Sequence, residues 1–395
     1  MLNYQIEAQN IFKELQDIYH YLHQHPELSY EEEHTGQWIA DKLTEWGVAF
    51  ENRGHTGIFA EIKGELPGPN LAFRADMDAL PVLEKTGLPF ASVHEGVMHA
   101  CGHDAHMTIL LGCIKLLQKR REKLKGSVSF IFQHAEERLG GARDFIEDLA
   151  EDYPEDLPSF DFVAAFHVWP QAVGTITCFG GPAMAQADAY RIDVTGLGGH
   201  GAAPHTTVNP IAPLAAMIPQ IERIPGITLP VHESAIVNVC HFSAGERFNV
   251  VPTHGYLEGT IRTYDTVVRE EVLNRLTDIA HHTAQAYGAT GKFTLEPGCL
   301  AVINDIDTAK WAGETLSTHL TDVKIETSAF PSPLGEDFSE FQKLGPLLFM
   351  RLGIWSPQVD KQYALHNEHF QIDEKALVVG VAALFCLADT FDQEA

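Results

Sequence analysis

No run of about eighteen apolar residues occurs in the 395-residue chain, which excludes a transmembrane helix. Basic residues are few: 27 Lys and Arg stand against 54 Asp and Glu, a formal charge of −27. That balance disfavours nucleic acid, whose binding needs a basic face. The acidic residues are spread along the chain, as on a solvated surface. Only six cysteines occur, scattered from Cys101 to Cys386 with no Cys-x-x-Cys pair. This argues against a disulfide framework and a zinc ribbon. The N-terminus lacks a basic start followed by an apolar stretch, so no secretory signal is expected and a cytoplasmic location is. A Gly-x-Gly-x-x-Gly helix start and a phosphate loop are missing too, which speaks against a nucleotide-binding protein. There is no internal repeat and no low-complexity segment.

What is present is ordinary globular apolar content over a length that suggests about two domains. Ile11, Leu15, Ile18 and Leu22 recur at helical spacing within 8–23, and Pro26 stops that helix. A second helix is predicted over 35–46. Strands are predicted at 57–62, 70–74, 127–133 and 162–166, with a helix over 106–119. Strands alternating with helices predict an α/β layer fold with a mixed, mostly parallel sheet. A different unit begins near Ala189: strand 190–196, helix 208–224, strands 235–242 and 255–263, helix 266–287 and strand 292–296. The order β-α-β-β-α-β is that of a ferredoxin-like α+β domain. We therefore expect a main domain over 1–186 and 298–395, with an inserted domain at 187–297. The last part ends in an apolar helix, 374–391.

Several segments place metal-ligand residue types at strand ends or loops, where α/β sheets bind ligands. In Met98-His99-Ala100-Cys101-Gly102-His103-Asp104, a thiolate and an imidazole two residues apart can chelate one ion or flank a pair. Asp104 could orient a ligating histidine as an acceptor. The bland alternative is a buried cysteine with a chance neighbour. Glu136 and Glu137 follow an apolar strand, and adjacent carboxylates need a positive partner, unless they simply open a helix. His167 ends another strand, His366 lies in Leu365-His366-Asn367-Glu368-His369, and Asp76 and Asp78 follow a third strand. Each is unremarkable alone. In the inserted unit, His200 sits on a glycine-rich loop and can donate to a developing oxyanion. Asn249 and Arg262 are polar residues in apolar surroundings, and an arginine there can grip a carboxylate or form an ordinary ion pair.

Taken in order, Arg-Ala-Asp-Met-Asp-Ala-Leu-Pro, Met-His-Ala-Cys-Gly-His-Asp, Ala-Glu-Glu, Phe-His-Val-x-Pro, Gly-Gly-His-Gly-Ala-x-Pro-His and Gly-Glu-Asp-Phe resemble the co-catalytic-metal aminoacylase and carboxypeptidase family. The nearest branch is the amidohydrolases that include auxin-conjugate hydrolases, hippuricases and N-acetyl-diaminopimelate deacetylases. The resemblance runs from His23-Gln24-His25-Pro26-Glu27-Leu28-Ser29 to His366-Asn367-Glu368-His369-Phe370. It implies Cys101, His103, Glu137, His167 and His366 as ligands of two divalent ions, zinc first, with manganese, cobalt or nickel as other occupants. It implies Glu136 as general base, Asp78 as a catalytic support, and His200, Asn249 and Arg262 as substrate contacts. It further implies that the inserted domain is a lid that makes a homodimer. His134 replaces a frequent Pro, and Glu368 and His369 depart from the usual residues after the last ligand. These departures bear on the pocket and the pH profile.

The expected reaction is hydrolysis of an N-acyl amino acid amide by a metal-activated water, with Glu136 moving the proton. The alternatives are a carboxypeptidase or dipeptidase acting on short peptides, and a metal-binding scaffold without catalysis. A general base at Glu136 beside a ligand at Glu137 argues against the scaffold, since pure binding needs no base. Neither nucleic acid nor membrane is expected as a partner.

Overall fold

A computed structural model describes residues 2–230, 233–357, 359 and 362–391. The chain divides into two compact units: Met1–Ala183 with Ile303–Phe330 and Asp337–Ala395, and Met184–Val302 with Pro331–Glu336.

The first unit is built on a ten-stranded sheet. Its middle runs Lys125–Gln133, Leu66–Asp76, Phe162–Ala172, Leu347–Trp355, and these neighbours pair in parallel. Gly57–Lys63 and Ala49–Arg53 extend one side antiparallel. The four central strands are apolar on both faces, as a parallel sheet covered on both sides requires. Their register brings Asp76 beside Gln133 and His167 beside Arg351. The carboxyl ends of the central strands therefore open at the same edge of the sheet.

His103–Lys119 is apolar nearly all round and is buried along most of its length. It packs between the sheet and two more helices, Phe12–Gln24 and Lys375–Thr390. Gly112 permits the approach: a Cβ there would lie 2.6 Å from Val381 Cγ2 and 2.7 Å from Leu15 Cδ2. The helix predicted over 8–23 is two helices, Tyr4–Asn10 and Phe12–Gln24, broken at Ile11. The strand Ala49–Arg53 and the helices Gly141–Asp152 and Ile306–His319 carry too weak or too polar a pattern to have been predicted.

The second unit is a four-stranded antiparallel sheet in the order Ala235–Ala244, His254–Thr263, Gln186–Thr195, Thr290–Pro297. Helices Ile211–Glu222 and Thr266–Asp278 connect the strands, which is the ferredoxin-like sequence of elements. Buried and half-exposed residues alternate along His254–Thr263, so one face of the sheet is buried and the other is not. Tyr190, Ile192, Leu214, Met217, Leu257, Ile261 and Leu276 form a core belonging to this unit alone. The helix predicted over 266–287 widens to a π-helical turn at Ile279–Thr283 before ending. Among the described residues no helix is long and apolar enough to cross a membrane.

His23, in the Phe12–Gln24 helix, forms a buried ion pair with two acids. Its Nδ1 lies 2.6 Å from Asp104 Oδ2 and its Nε2 3.2 Å from Glu84 Oε1. The Asp104 side chain, expected to accept from a ligating histidine, meets His23 and the Ala105 N–H instead and so joins two helices. Burial alone would depress the His23 imidazole, but Asp104 and Glu84 outweigh it and draw it up to about 9. A folded-state value above the usual ~6.5 stabilises the fold fully below that pH and progressively less as pH rises through about 9. The two acids are held below their usual range and titrate outside this window. His23→Gln should therefore cost roughly 1–3 kcal/mol near pH 6, and the gap to wild type should close toward pH 9. Urea unfolding at pH 6, 7.5 and 9 checks this; a gap that widens with pH refutes it.

Candidate metal centre

The site begins with an N-terminal segment that looks remote in sequence. Glu27 caps the next helix, accepting the N–H groups of His34 and Thr35 at 3.1 and 2.7 Å. That leaves Glu32 directed at the loop after the Lys125–Gln133 strand and Ser29 directed at Asp78. Glu32 accepts the Ala135 N–H at 2.8 Å. Asp78 accepts the next two, Glu136 N–H at 3.1 Å and Glu137 N–H at 3.0 Å, along with the Ser29 hydroxyl at 2.6 Å. Three successive amides are thus gripped by two buried carboxylates. Ala135 takes a left-handed conformation, φ 51°, to allow it.

The Cys101 segment meets this loop. Gly102 is left-handed, φ 87°, and a Cβ there would lie 2.4 Å from Val168 Cγ2. His103 opens the His103–Lys119 helix, with its Nδ1 2.8 Å from the Asp78 carbonyl oxygen. A carbonyl can only accept, so Nδ1 carries a proton and Nε2 is the nitrogen presented to the site, 3.6 Å from Asp76 Oδ2. His167 repeats the device: its Nδ1 donates to the Val168 carbonyl at 2.7 Å, and its Nε2 lies 3.5 Å from Cys101 Sγ. His366 is left-handed, φ 66°, and is held by donating its N–H to the Ala100 carbonyl at 2.8 Å. Its Nε2 lies 3.3 Å from Glu137 Oε1. The non-glycine residues with positive φ among those described, Tyr30, Ala135, Leu139 and His366, all belong to segments that build this site. Such conformations cost on the order of 1–3 kcal/mol each and persist only where the surrounding structure fixes them.

The five ligand candidates come together. Cys101, His103 and His167 bring donor atoms within 4.8 Å of one another, and so do Cys101, Glu137 and His366. Glu136 joins His103 and Glu137 in a third such group. Two buried atoms of the set, His103 Nε2 and Glu137 Oε1, make no hydrogen bond among the described residues and meet ionic neighbours, Asp76 Oδ2 at 3.6 Å and His366 Nε2 at 3.3 Å. Buried polar atoms left without a hydrogen bond are uncommon, and both are ligand types for a cation.

The electrostatics agree. Burial, with His106 and His103 nearby, pushes the His167 imidazole down to about 3, leaving it neutral. Contact with Cys101 and Glu137 draws His366 up to about 10, so the acidic side of the site attracts positive charge. Burial works to raise the Asp76 carboxyl, but Arg74, His103 and His106 outweigh it and hold it well below the carboxylate range.

The residues in which the sequence departs from its resemblance lie off this centre. His134 is buried against Gly54 and Gly57 and meets the Tyr30 ring edge-on. Glu368 pairs with Lys85 at 2.8 Å, and His369 stacks on Tyr363. Ser29, Glu32 and His106 are contributors that residue patterns did not single out. Ser29 and Glu32 belong to the His23–Ser29 stretch and its acidic continuation, and His106 follows His103 by one helical turn.

His200, Asn249 and Arg262 belong to the second unit. His200 lies on a two-residue ribbon with Val250. Its Nδ1 accepts the Ala202 N–H at 3.0 Å, so a neutral ring carries its proton outward on Nε2. Asn249 is held through its carbonyl, which accepts the Gly201 N–H at 2.9 Å. Arg262 donates to the Thr260 hydroxyl and the Ile261 carbonyl and pairs with no carboxylate among the described residues.

Known proteins share this arrangement of chain. An N-acetyl-L-cysteine deacetylase of Bacillus subtilis is 36% identical over 375 residues, covering 94% of this chain and 87% of its own. Thermostable carboxypeptidase 1 of Saccharolobus solfataricus is 34% identical over 400 residues, covering 98% and 99%. The crystal structure of a dinuclear metal-binding peptidase from Bacillus subtilis superposes with a TM-score of 0.82 at 33% identity, over 96% of this chain and 98% of that one. The model of peptidase family M20/M25/M40 matches residues 72–390, and the chain belongs to that family.

Proposed function

We propose that the protein is a metal-dependent amidohydrolase that cleaves the amide bond of N-acyl amino acids. The observation that carries this is a pair of donor groups sharing Cys101, with the Glu136 carboxylate beside them. Cys101, His103 and His167 would hold one divalent ion, and Cys101, Glu137 and His366 the other. A thiolate-imidazole-carboxylate donor set suits zinc. When bound, the ions polarise the scissile carbonyl and lower the pKa of a water from 15.7 toward about 7.

The chain's own residues do the rest. Glu136 takes the water's proton and returns it to the departing amine. Asp78 fixes the Glu136 and Glu137 backbones and the His103 ring, so the base and two ligands share one anchor. The outward Nε2–H of His200 is suited to the developing oxyanion. Arg262, which pairs with no carboxylate among the described residues, and Asn249 would take the substrate's carboxylate. The deacetylase relative supports the N-acyl reading. The carboxypeptidase relative keeps a second one, cleavage of short peptides, in contention.

We assign the second unit, taken with the boundaries 187–297 expected from sequence, the part of a lid that also makes a homodimer. Its strand Ala235–Ala244 has a single neighbour in the sheet and exposes Ile236 and Phe242. A reduced Cys101 fits a cytoplasmic site of action.

Glu136→Gln should keep both ions and lose turnover by about a hundred- to ten-thousand-fold, whereas Cys101→Ser and His167→Ala should lose metal on dialysis. Elemental analysis and a panel of acetyl, benzoyl and dipeptide substrates measure both. Near-normal turnover in Glu136→Gln would sink the base, and full metal in the ligand variants would sink the centre. Arg262→Ala should raise KM for carboxylated substrates with kcat little changed; an unchanged KM removes its role. Sedimentation should show a dimer at micromolar concentration, and a monomer there would refute the assembly.

A further inference from the structure

Asp76, His103 and His106 also bring donor atoms within 4.8 Å of one another, in the manner of a third cation site. The hydrogen bonds exclude it. His106 Nε2 accepts the Val168 N–H at 2.8 Å, which uses the lone pair there. The ring proton therefore sits on Nδ1, 2.6 Å from Asp76 Oδ1. Neither nitrogen of the neutral ring is left for an ion. The other Asp76 oxygen accepts from Arg74 at 2.7 Å.

Sheet pairing explains why a histidine stands here. The Phe162–Ala172 strand pairs with Leu66–Asp76 only from Phe162 to Ala165. Val168 lies three residues beyond the last pair, where that neighbouring strand no longer offers a carbonyl. A buried N–H needs a partner, and the His106 ring supplies the acceptor the missing strand would have given. The Val168 carbonyl in turn accepts the His167 Nδ1–H at 2.7 Å. One residue thus links the two rings, whose centroids are 4.8 Å apart.

We propose that His106, its tautomer fixed by Asp76, is a positioning residue that locks Val168 and so aims His167 Nε2 at the ion shared with Cys101 and His103, without itself being a ligand. This rests on the two-ion reading above. Removing such an outer partner of a ligand typically costs 10–100-fold in metal affinity.

The test compares wild type, His106→Phe and His106→Gln, loaded with zinc and dialysed against chelators of graded strength. Zinc per chain is measured by elemental analysis, and imidazole ¹⁵N spectra are recorded for the metal-free and zinc-loaded wild-type chain. His106→Phe should hold one ion as wild type does and the other about 10–100-fold more weakly. His106→Gln should keep both, because its amide can accept from Val168 and donate to Asp76. The His106 ring should show the Nδ1–H form in both spectra, with no ligation shift on adding zinc. Three results would overturn the proposal: both ions held normally by His106→Phe, equal losses in the two variants, or a zinc-induced ligation shift at His106. If His106→Phe does not fold, metal retention by His106→Gln together with the ring spectra decides the matter. Fewer than two ions in wild type would instead remove the two-ion reading.

Discussion

Asp78 is the constraint on which the site depends. One side-chain carboxylate accepts the amides of Glu136 and Glu137 and the Ser29 hydroxyl, while the carbonyl of the same residue fixes the His103 ring. The candidate base and two candidate ligands are therefore placed by a single residue at the end of one central strand. Hydrogen bonds to an ionised acceptor are stronger than neutral ones, so this anchor is stiff. Burial would raise the Asp78 carboxyl, but contacts with His103, Ser29 and the Glu137 amide overcome it and keep the group ionised.

Around that anchor the polypeptide accepts local strain for the sake of geometry. Ala135 and His366 adopt left-handed backbone conformations that are uncommon outside glycine. Each is held by one backbone N–H bond, Ala135 to Glu32 and His366 to the Ala100 carbonyl. The ligand rings are oriented in a similarly economical way, with Nδ1 of His103 and His167 each bound to a main-chain carbonyl so that Nε2 is presented. Acids, imidazoles and a thiol crowd this centre, and the high proton affinity of His366 reflects their shortage of positive charge.

Much of this was legible in the residue pattern, and the exceptions have physical causes. The buried helix, expected from 106 and starting at His103, the strand ending at Gln133 and the β-α-β-β-α-β order of the second unit follow from apolar periodicity, whereas the strand expected to stop at 166 runs on through His167 to Ala172. Gly141–Asp152 escaped because its acidic residues mask a narrow buried stripe of Ala142, Phe145, Ile146 and Leu149. Asp104, expected to accept from a ligating histidine, meets His23 instead, 81 residues away and outside the candidate ligand set, a pairing that spacing along the chain does not reveal. Glu32 and His106 were overlooked because their partners are 103 and 62 residues away.

The sequence by itself determined which residue types are available: a thiol and imidazole flanking Gly102, paired carboxylates after an apolar strand, and histidines at two other strand or loop ends. It also determined the two kinds of layer they sit in, because periodicity is a local property of the chain. Only the tertiary structure decided which of these groups share a centre, which nitrogen each ring presents, and that His106 serves a neighbouring strand and not an ion. Those choices depend on sheet register and on hydrogen-bond partners drawn from distant segments, and neither is encoded in the spacing of residues along one stretch of chain.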